Sequence, residues 1–254
     1  MTDSLMISGR GPRLLARAPL VAALLAGAAL LLLALVPFGW RFGLWNYRLS
    51  FRMVAWAQDL ALAAAIIAAL GLILGRSVID RRSRLLAAVL VVFGAGVIAV
   101  PWAWGRLNGP HPPINDITTD TENPPVFVAA LAAREAEQAR PVIYGGAMVA
   151  HEQQAYYPDI APLSLAAPPG RVFERALATA QALGWRILAS DAQKGMIEAS
   201  DTTLYYGFTD DIVIRVIADG AGSRVDIRSH SRQGTGDNGV NAARVRKYLA
   251  ALKG

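Results

Sequence analysis

Three long uncharged runs constrain this chain more than any other feature. Ala18–Trp40 holds 23 residues with no charge, 53–75 holds 23 with one, Asp59, and 85–105 holds 21 with none. A helix that crosses the hydrocarbon core of a bilayer needs about 20 predominantly apolar residues. Each run is long enough, and spans at about 18–37, 54–75 and 85–105 are expected. Trp40, Trp45, Trp56, Trp102 and Trp104 cluster near their ends, as an interfacial aromatic belt does. A cleaved signal peptide is the competing reading of the first run. Its apolar stretch exceeds the usual ~7–15 residues, however, and no small-x-small site with a polar follow-on is visible.

The composition supports this reading. Hydrophobic residues make up 54% of the chain and charged residues 17%, although the net charge is +6. Residues 1–106 carry 11 Lys/Arg against 3 Asp/Glu, and residues 107–254 carry 14 against 16. The basic character therefore belongs to the apolar half, and the polar half is slightly acidic, which argues against a nucleic-acid footprint. With no cysteine in the chain, disulfides, thiolate nucleophiles and zinc–thiolate sites are excluded.

Arginine placement sets the expected orientation. Arg10, Arg13 and Arg17 precede the first span, and Arg76, Arg81, Arg82 and Arg84 fill the second loop, on the same side. Arg41, Arg48 and Arg52 in the first loop and Arg106 after the third span lie opposite. The bias puts the N-terminus in the cytoplasm and the C-terminal domain outside, which for a bacterial inner membrane means the periplasm. Asp59 reads as a carboxylate near a helix N-terminus, within reach of Arg48 or Arg52; a proton or ion relay is the alternative. Gly71 and Gly75 form a small-xxx-small pair suited to close helix packing, within the chain or between copies.

Residues 107–124, rich in Pro, Asn, Thr and Asp, read as an extended segment leading into an α+β domain at 125–254. Helices are expected at Pro125–Arg140, Ala147–Tyr156 and Pro169–Leu183, the last stopped by Gly184. The period then changes to two, which predicts an antiparallel four-stranded meander: Trp185–Asp191, Gly195–Leu204, Asp211–Ala218 and Ser223–Arg232. A helix over Asn238–Leu252 closes the domain. The fold class is thus three transmembrane helices followed by an α+β domain with flanking helices.

The last hairpin can be read to its register. If Asp219 faces Gly222, Ile212, Ile214 and Val216 share the core face with Ser229, Ile227 and Val225. The other face then pairs Arg215 with Asp226 and Asp211 with His230, and sets Val213 opposite Arg228 and Ile217 opposite Arg224. A slip of one residue would turn these charges inward.

The same strand projects Arg224, Asp226, Arg228, His230 and Arg232 from one face. Guanidiniums with a histidine suit an anion such as a phosphate, carboxylate or lipid head group; a solvated, salt-bridged sheet face is the plainer reading. The following Gly-rich loop runs through Gly236 and Gly239 to Asn241. It offers backbone N–H groups to an anion, or else Asp237 or Asn238 caps the closing helix. A second polar set comprises Asn115, Asp116, Thr119, Asp120, Asp201 and Asp211, with Asp210 close by. The carboxylates among them suggest metal binding or acid–base work with His230, but no metal-binding spacing is present, and His111 and His151 are scattered. No catalytic residue, cofactor or metal site is therefore assigned. Tyr205, Tyr206 and Phe208 read as turn packing.

Pro113–Asp120, Asn123-Pro124-Pro125, Tyr157-Pro158-Asp159, Ile197-Glu198-Ala199, Asp201-Thr202-Thr203, Gly207-Phe208 with Asp210-Asp211, Ser223–Asp226 with Arg228-Ser229, and Gly239–Ala242 with Arg244 together carry a resemblance. Over about residues 112–250 the chain resembles an uncharacterised bacterial family with relatives in plants, domain of unknown function 1499. The resemblance implies an envelope-associated protein and brings no established activity. It also draws Asn115–Asp120 out of the linker, as a run of polar side chains docked on the sheet.

The expectation for function is a membrane-anchored, periplasm-facing binding or interaction module for an anionic ligand or lipid head group. Its partners would be the bilayer, an envelope protein or lipid, or further copies through the membrane helices, and not nucleic acid. The alternative is an envelope hydrolase or metal-dependent enzyme built on the Asp/His set.

Overall fold

A computed structural model describes residues 10–254. The side chains of Arg10, Arg13 and Trp104 lie outside the described residues. The chain forms two units, one ending at Pro110 and the other comprising His111–Gly254.

In the first unit, α1 (Arg10–Arg41), α2 (Tyr47–Leu74) and α3 (Arg81–Asn108) are each long and apolar enough to cross a membrane. Alanines line the contacts between them: Ala22, Ala26, Ala64, Ala68 and Ala87 in one cluster, and Ala29, Ala57 and Ala61 in another. Leu24, Leu31, Leu62, Ile66, Val89 and Val92 point outward. In lipid a leucine gains little by being buried, whereas small residues let backbones approach and pack. Gly94 shows how close that approach is, since a Cβ there would lie 2.5 Å from the Ala61 carbonyl oxygen. Gly71 packs within the chain, 3.1 Å from Ala18 Cβ by the same measure.

The second helix corrects one expectation. It begins at Tyr47, where the Asn46 side chain accepts from Leu49 N at 3.1 Å. Polar Tyr47–Arg52 therefore belongs to the helix. Asp59 falls near the middle of the span Tyr47–Leu74, exposed on the bundle surface and, among the described residues, without an ion-pair partner. It neither caps a helix nor meets Arg48 or Arg52.

The second unit is an antiparallel sheet with the order β1-β6-β5-β4-β3. The meander strands are β3 (Arg186–Asp191), β4 (Met196–Thr202), β5 (Thr209–Asp219) and β6 (Gly222–Ser231). The hairpin has the register read from its turn, with Asp219 opposite Gly222 and Ile214 opposite Ile227. Two short strands add to the expected four. β1 (Asp116–Thr118) comes from the segment read as a linker, and β2 (Leu163–Leu165) pairs farther along the same edge of β6. Three residues give too short a period to be read from sequence.

The helices are α4 (Leu131–Ala136), α5 (Gly146–Tyr156), α6 (Pro169–Ala182) and α7 (Val240–Lys253). The helix expected over 125–140 shrinks to α4, and the Glu198 carboxylate caps its start from a strand, accepting from the N–H groups of Val128, Ala129 and Ala130 at 2.8, 2.8 and 3.0 Å.

One sheet face packs against α6 and α7. Ile197, Ile212, Ile214, Val225 and Ile227 meet Val172, Phe173, Ala176, Val245 and Leu252, and Trp185 stacks on Tyr248 at 5.2 Å. Burying each of these large side chains stabilises the fold by about 1.5–3 kcal/mol. The opposite face of the sheet carries the charges.

Candidate functional site

On that opposite face, strand register sets side chains side by side. Arg186 lies opposite Ser200, Ser200 opposite Asp211, Asp211 opposite His230, and His230 opposite Asp116. One row of polar side chains thus crosses five strands. It is not a solvated face: Ser200 is 6% exposed, Asp211 0%, His230 4% and Asp116 6%. Phe127, Ala130 and Val142 cover Val213 at the centre of this face.

Buried charges survive only where partners replace water, and each arginine of β6 has one. Arg228 donates to both oxygens of Asp116, at 2.8 and 2.7 Å, and to the carbonyls of Pro125 and Val142. Its guanidinium lies 5.0 Å from the centre of the Phe127 ring, a cation–π contact. Arg232 and Arg134 share Asp211. Arg232 donates to both its oxygens, at 2.9 and 2.7 Å, and Arg134 Nη1 donates to Oδ2 at 2.7 Å. Arg215 and Arg224 each bind both Asp120 and Asp226, over 2.7–3.1 Å. Arg134 comes from α4, and nothing in its local sequence marked it as a partner of the strands.

His230 sits inside this network, with Nδ1 3.8 Å from Asp116 Oδ2 and 3.5 Å from Arg134 Nη2. Burial, partly offset by Asp116, pushes its pKa down to about 4. The ring is neutral at pH 7, and its Nδ1 accepts from Arg134. Beside Asp116 and Arg228, burial pushes the Tyr144 hydroxyl up to about 12.

The remaining sequence candidates lie elsewhere. Thr119 Oγ1 is bonded to the backbone of Ile227. Asn115 donates to the Gly234 carbonyl at 2.9 Å, and Asn241 donates to the Asn115 carbonyl and to Ser231 Oγ. In the loop through Gly236 and Gly239, Asp237 accepts from Gly239 N at 2.9 Å and Asn241 N at 2.6 Å. The chain's own carboxylate thus holds the amides offered to an anion, and desolvation on burial raises its pKa. Gly239 itself has φ +80, and a Cβ there would lie 2.7 Å from the His111 ring.

Asp201 lies on the α7 side, where Arg244 donates to it at 3.0 Å and also pairs with Asp210 at 2.7 Å. The structure therefore brings Asp116 and Asp211 to either side of His230 but leaves Asp201 across the sheet and Asp120 at the Arg215–Arg224 end. Among the described residues no three His, Cys, Asp or Glu side chains are placed to hold a metal ion.

The row opens to solvent at its β3 end, in a cleft of about 410 Å³ lined by Ala133, Glu137, Gly184, Arg186, Leu188, Ser200, Asp201, Thr202, Thr209 and Arg232. Ser200, although buried, makes no hydrogen bond through its hydroxyl to the described residues. Arg186 is exposed and has no carboxylate partner among them. Thr202 and Thr209 hydroxyls lie 3.0 Å apart. Sequence reasoning missed Arg186 and Ser200, although both share the parity of the charged face; the signal was there once the register of β3 and β4 was known.

A family model described as "Protein of unknown function (DUF1499)" matches residues 116–252, from β1 into α7. No curated protein matches the chain.

Proposed function

The chain belongs to the DUF1499 family, and on that premise we propose that it is a membrane-anchored binding module of the cell envelope. Its α+β domain faces the periplasm, as the arginine bias of the loops suggests, and captures a small polar ligand rather than transforming it. The observation that carries the reading is the contrast along one row of side chains. Asp116, His230 and Asp211 are closed into a neutralised, buried network, whereas Ser200 and Arg186 at its end have free hydrogen-bonding groups in a cleft. Pockets of roughly 300–1,000 Å³ with a few convergent polar groups suit small molecules. On this reading Arg228 and Asp116 are scaffold, Arg232 and Asp201 form the cleft wall, and the ligand lies against Arg186 and Ser200.

The test is to purify the full chain from native membranes in mild detergent and compare co-purifying small molecules by mass spectrometry. A polar compound should be retained by the natural chain and lost from the Arg186→Gln, Ser200→Ala double variant. Equal retention by both would overturn the reading.

A further inference from the structure

We propose that the cleft at the β3 end takes a hydroxylated monoanion of the sugar-acid class, with its carboxylate on Arg186; this rests on the binding reading above. The argument turns on which lining groups remain available and what charge they present together.

Arg232 is spent, with Nε and Nη2 on Asp211 and Nη1 on Glu137 at 2.5 Å. The carboxylate of the cleft, Glu137, is neutralised in turn by Arg232, whereas Asp201 borders the cleft from β4 and turns its carboxylate to Arg244 on the other face of the sheet. Glu137 still has a second oxygen to which no described residue donates. What faces the ligand is therefore one uncompensated cation, Arg186, beside a carboxylate oxygen that accepts hydrogen bonds but exerts little net field. The Ser200 hydroxyl and the Thr202–Thr209 hydroxyl pair can donate or accept.

A planar guanidinium with no other partner matches one carboxylate through two parallel hydrogen bonds. A neutralised carboxylate with free lone pairs, Glu137, matches hydroxyl donors. An ammonium would gain little from a carboxylate already paired with arginine, which disfavours a zwitterion such as an amino acid. A phosphate dianion would place its second charge beside Glu137 with no second cation to meet it. Leu188, Ala133 and Gly184 supply an apolar wall, against which the C–H groups of a sugar ring can pack. Ser200 adds a hydroxyl to which no described residue is bonded, on the cleft wall, where a ligand hydroxyl can meet it as donor or acceptor.

The test is calorimetric titration of the full chain in detergent with four probes: glucuronate, glucose, inorganic phosphate and serine. Glucuronate should bind at least about tenfold more tightly than glucose, with phosphate and serine weaker than both. Arg186→Gln should remove the preference for glucuronate over glucose. Ser200→Ala should weaken both sugars several-fold and leave their ratio unchanged. Tighter binding of phosphate or serine than of glucuronate, or an undiminished glucuronate preference in Arg186→Gln, overturns the proposal. If no probe binds while the natural chain still retains a compound that the double variant loses, the sugar-acid assignment falls and the binding module stands. If that compound is absent too, both fall.

Discussion

In the helical unit small side chains turn inward, and the charge in mid-span, Asp59, turns outward with no partner among the described residues. In the sheet unit the reverse holds: Asp116, Asp211, Asp226, Arg134, Arg228 and Arg232 are buried, each against an opposite charge. The difference follows from the solvent each unit is built for. Between apolar helices in lipid, association depends on backbone approach and not on hiding leucines, so alanine and glycine occupy the contacts. In the sheet unit the charged face is covered as well, and such a face can be covered only if every charge brings its counter-ion with it. The comparison also separates two meanings of a buried polar group. Ion pairs closed on themselves serve the fold, and on the reading proposed above the hydroxyl of Ser200 at the cleft is what a ligand meets.

The comparison can be broken most severely at Asp211. Asp211→Asn leaves Arg134 and Arg232 buried beside a neutral amide, and the expected loss is about 3–5 kcal/mol in the sheet unit. Hydrogen-exchange mass spectrometry on the full chain should show β5 and β6 losing protection while α1–α3 keep theirs; unaltered exchange would mean the network is not what holds this face. In the helical unit the sign reverses. Asp59→Leu replaces a mid-span acid that costs about 2.5–3.5 kcal/mol on insertion scales. The fraction of second spans inserted, followed by glycosylation mapping, should rise, and no rise would mean that Asp59 is covered in the membrane.

The smallest effect concerns pH. The folded pKa of His230 is about 4, below its unfolded value of about 6.5. The folded state therefore binds fewer protons between these values. The stabilisation from a neutral His230 is fully present above about pH 6.5 and is lost as pH falls towards 4, on the order of 2–3 kcal/mol. Denaturant titrations from pH 7 to 4 should show this decline, and His230→Asn should flatten it; parallel curves for the two proteins would place the titration elsewhere.

Much of the fold was legible because its signals are local. Uncharged runs mark α1–α3, and alternation with a Gly-containing turn gives the β5–β6 hairpin down to which residues face each other. The charges of β6 were legible too, but their burial was not. A strand that reads Arg-Val-Asp-Ile-Arg-Ser-His looks half solvated until a separate segment supplies Phe127, Arg134 and Val142 to cover it. Local periodicity predicts one long helix there, and the carboxylate that caps the shorter one belongs to Glu198, some seventy residues later in the chain.

By itself, then, the sequence determined which segments are long and apolar enough to cross a membrane, which alternate as strands, and which face of the last hairpin is apolar. These depend on chain length and periodicity within one segment. The tertiary structure decided which charges meet, because Asp116 with Arg228, Arg134 with Asp211 and Arg244 with Asp201 join residues far apart in the chain. It also decided which polar groups are left over. The hydroxyl of Ser200 and the guanidinium of Arg186 stand out as available only once every neighbouring charge has been seen to find its partner.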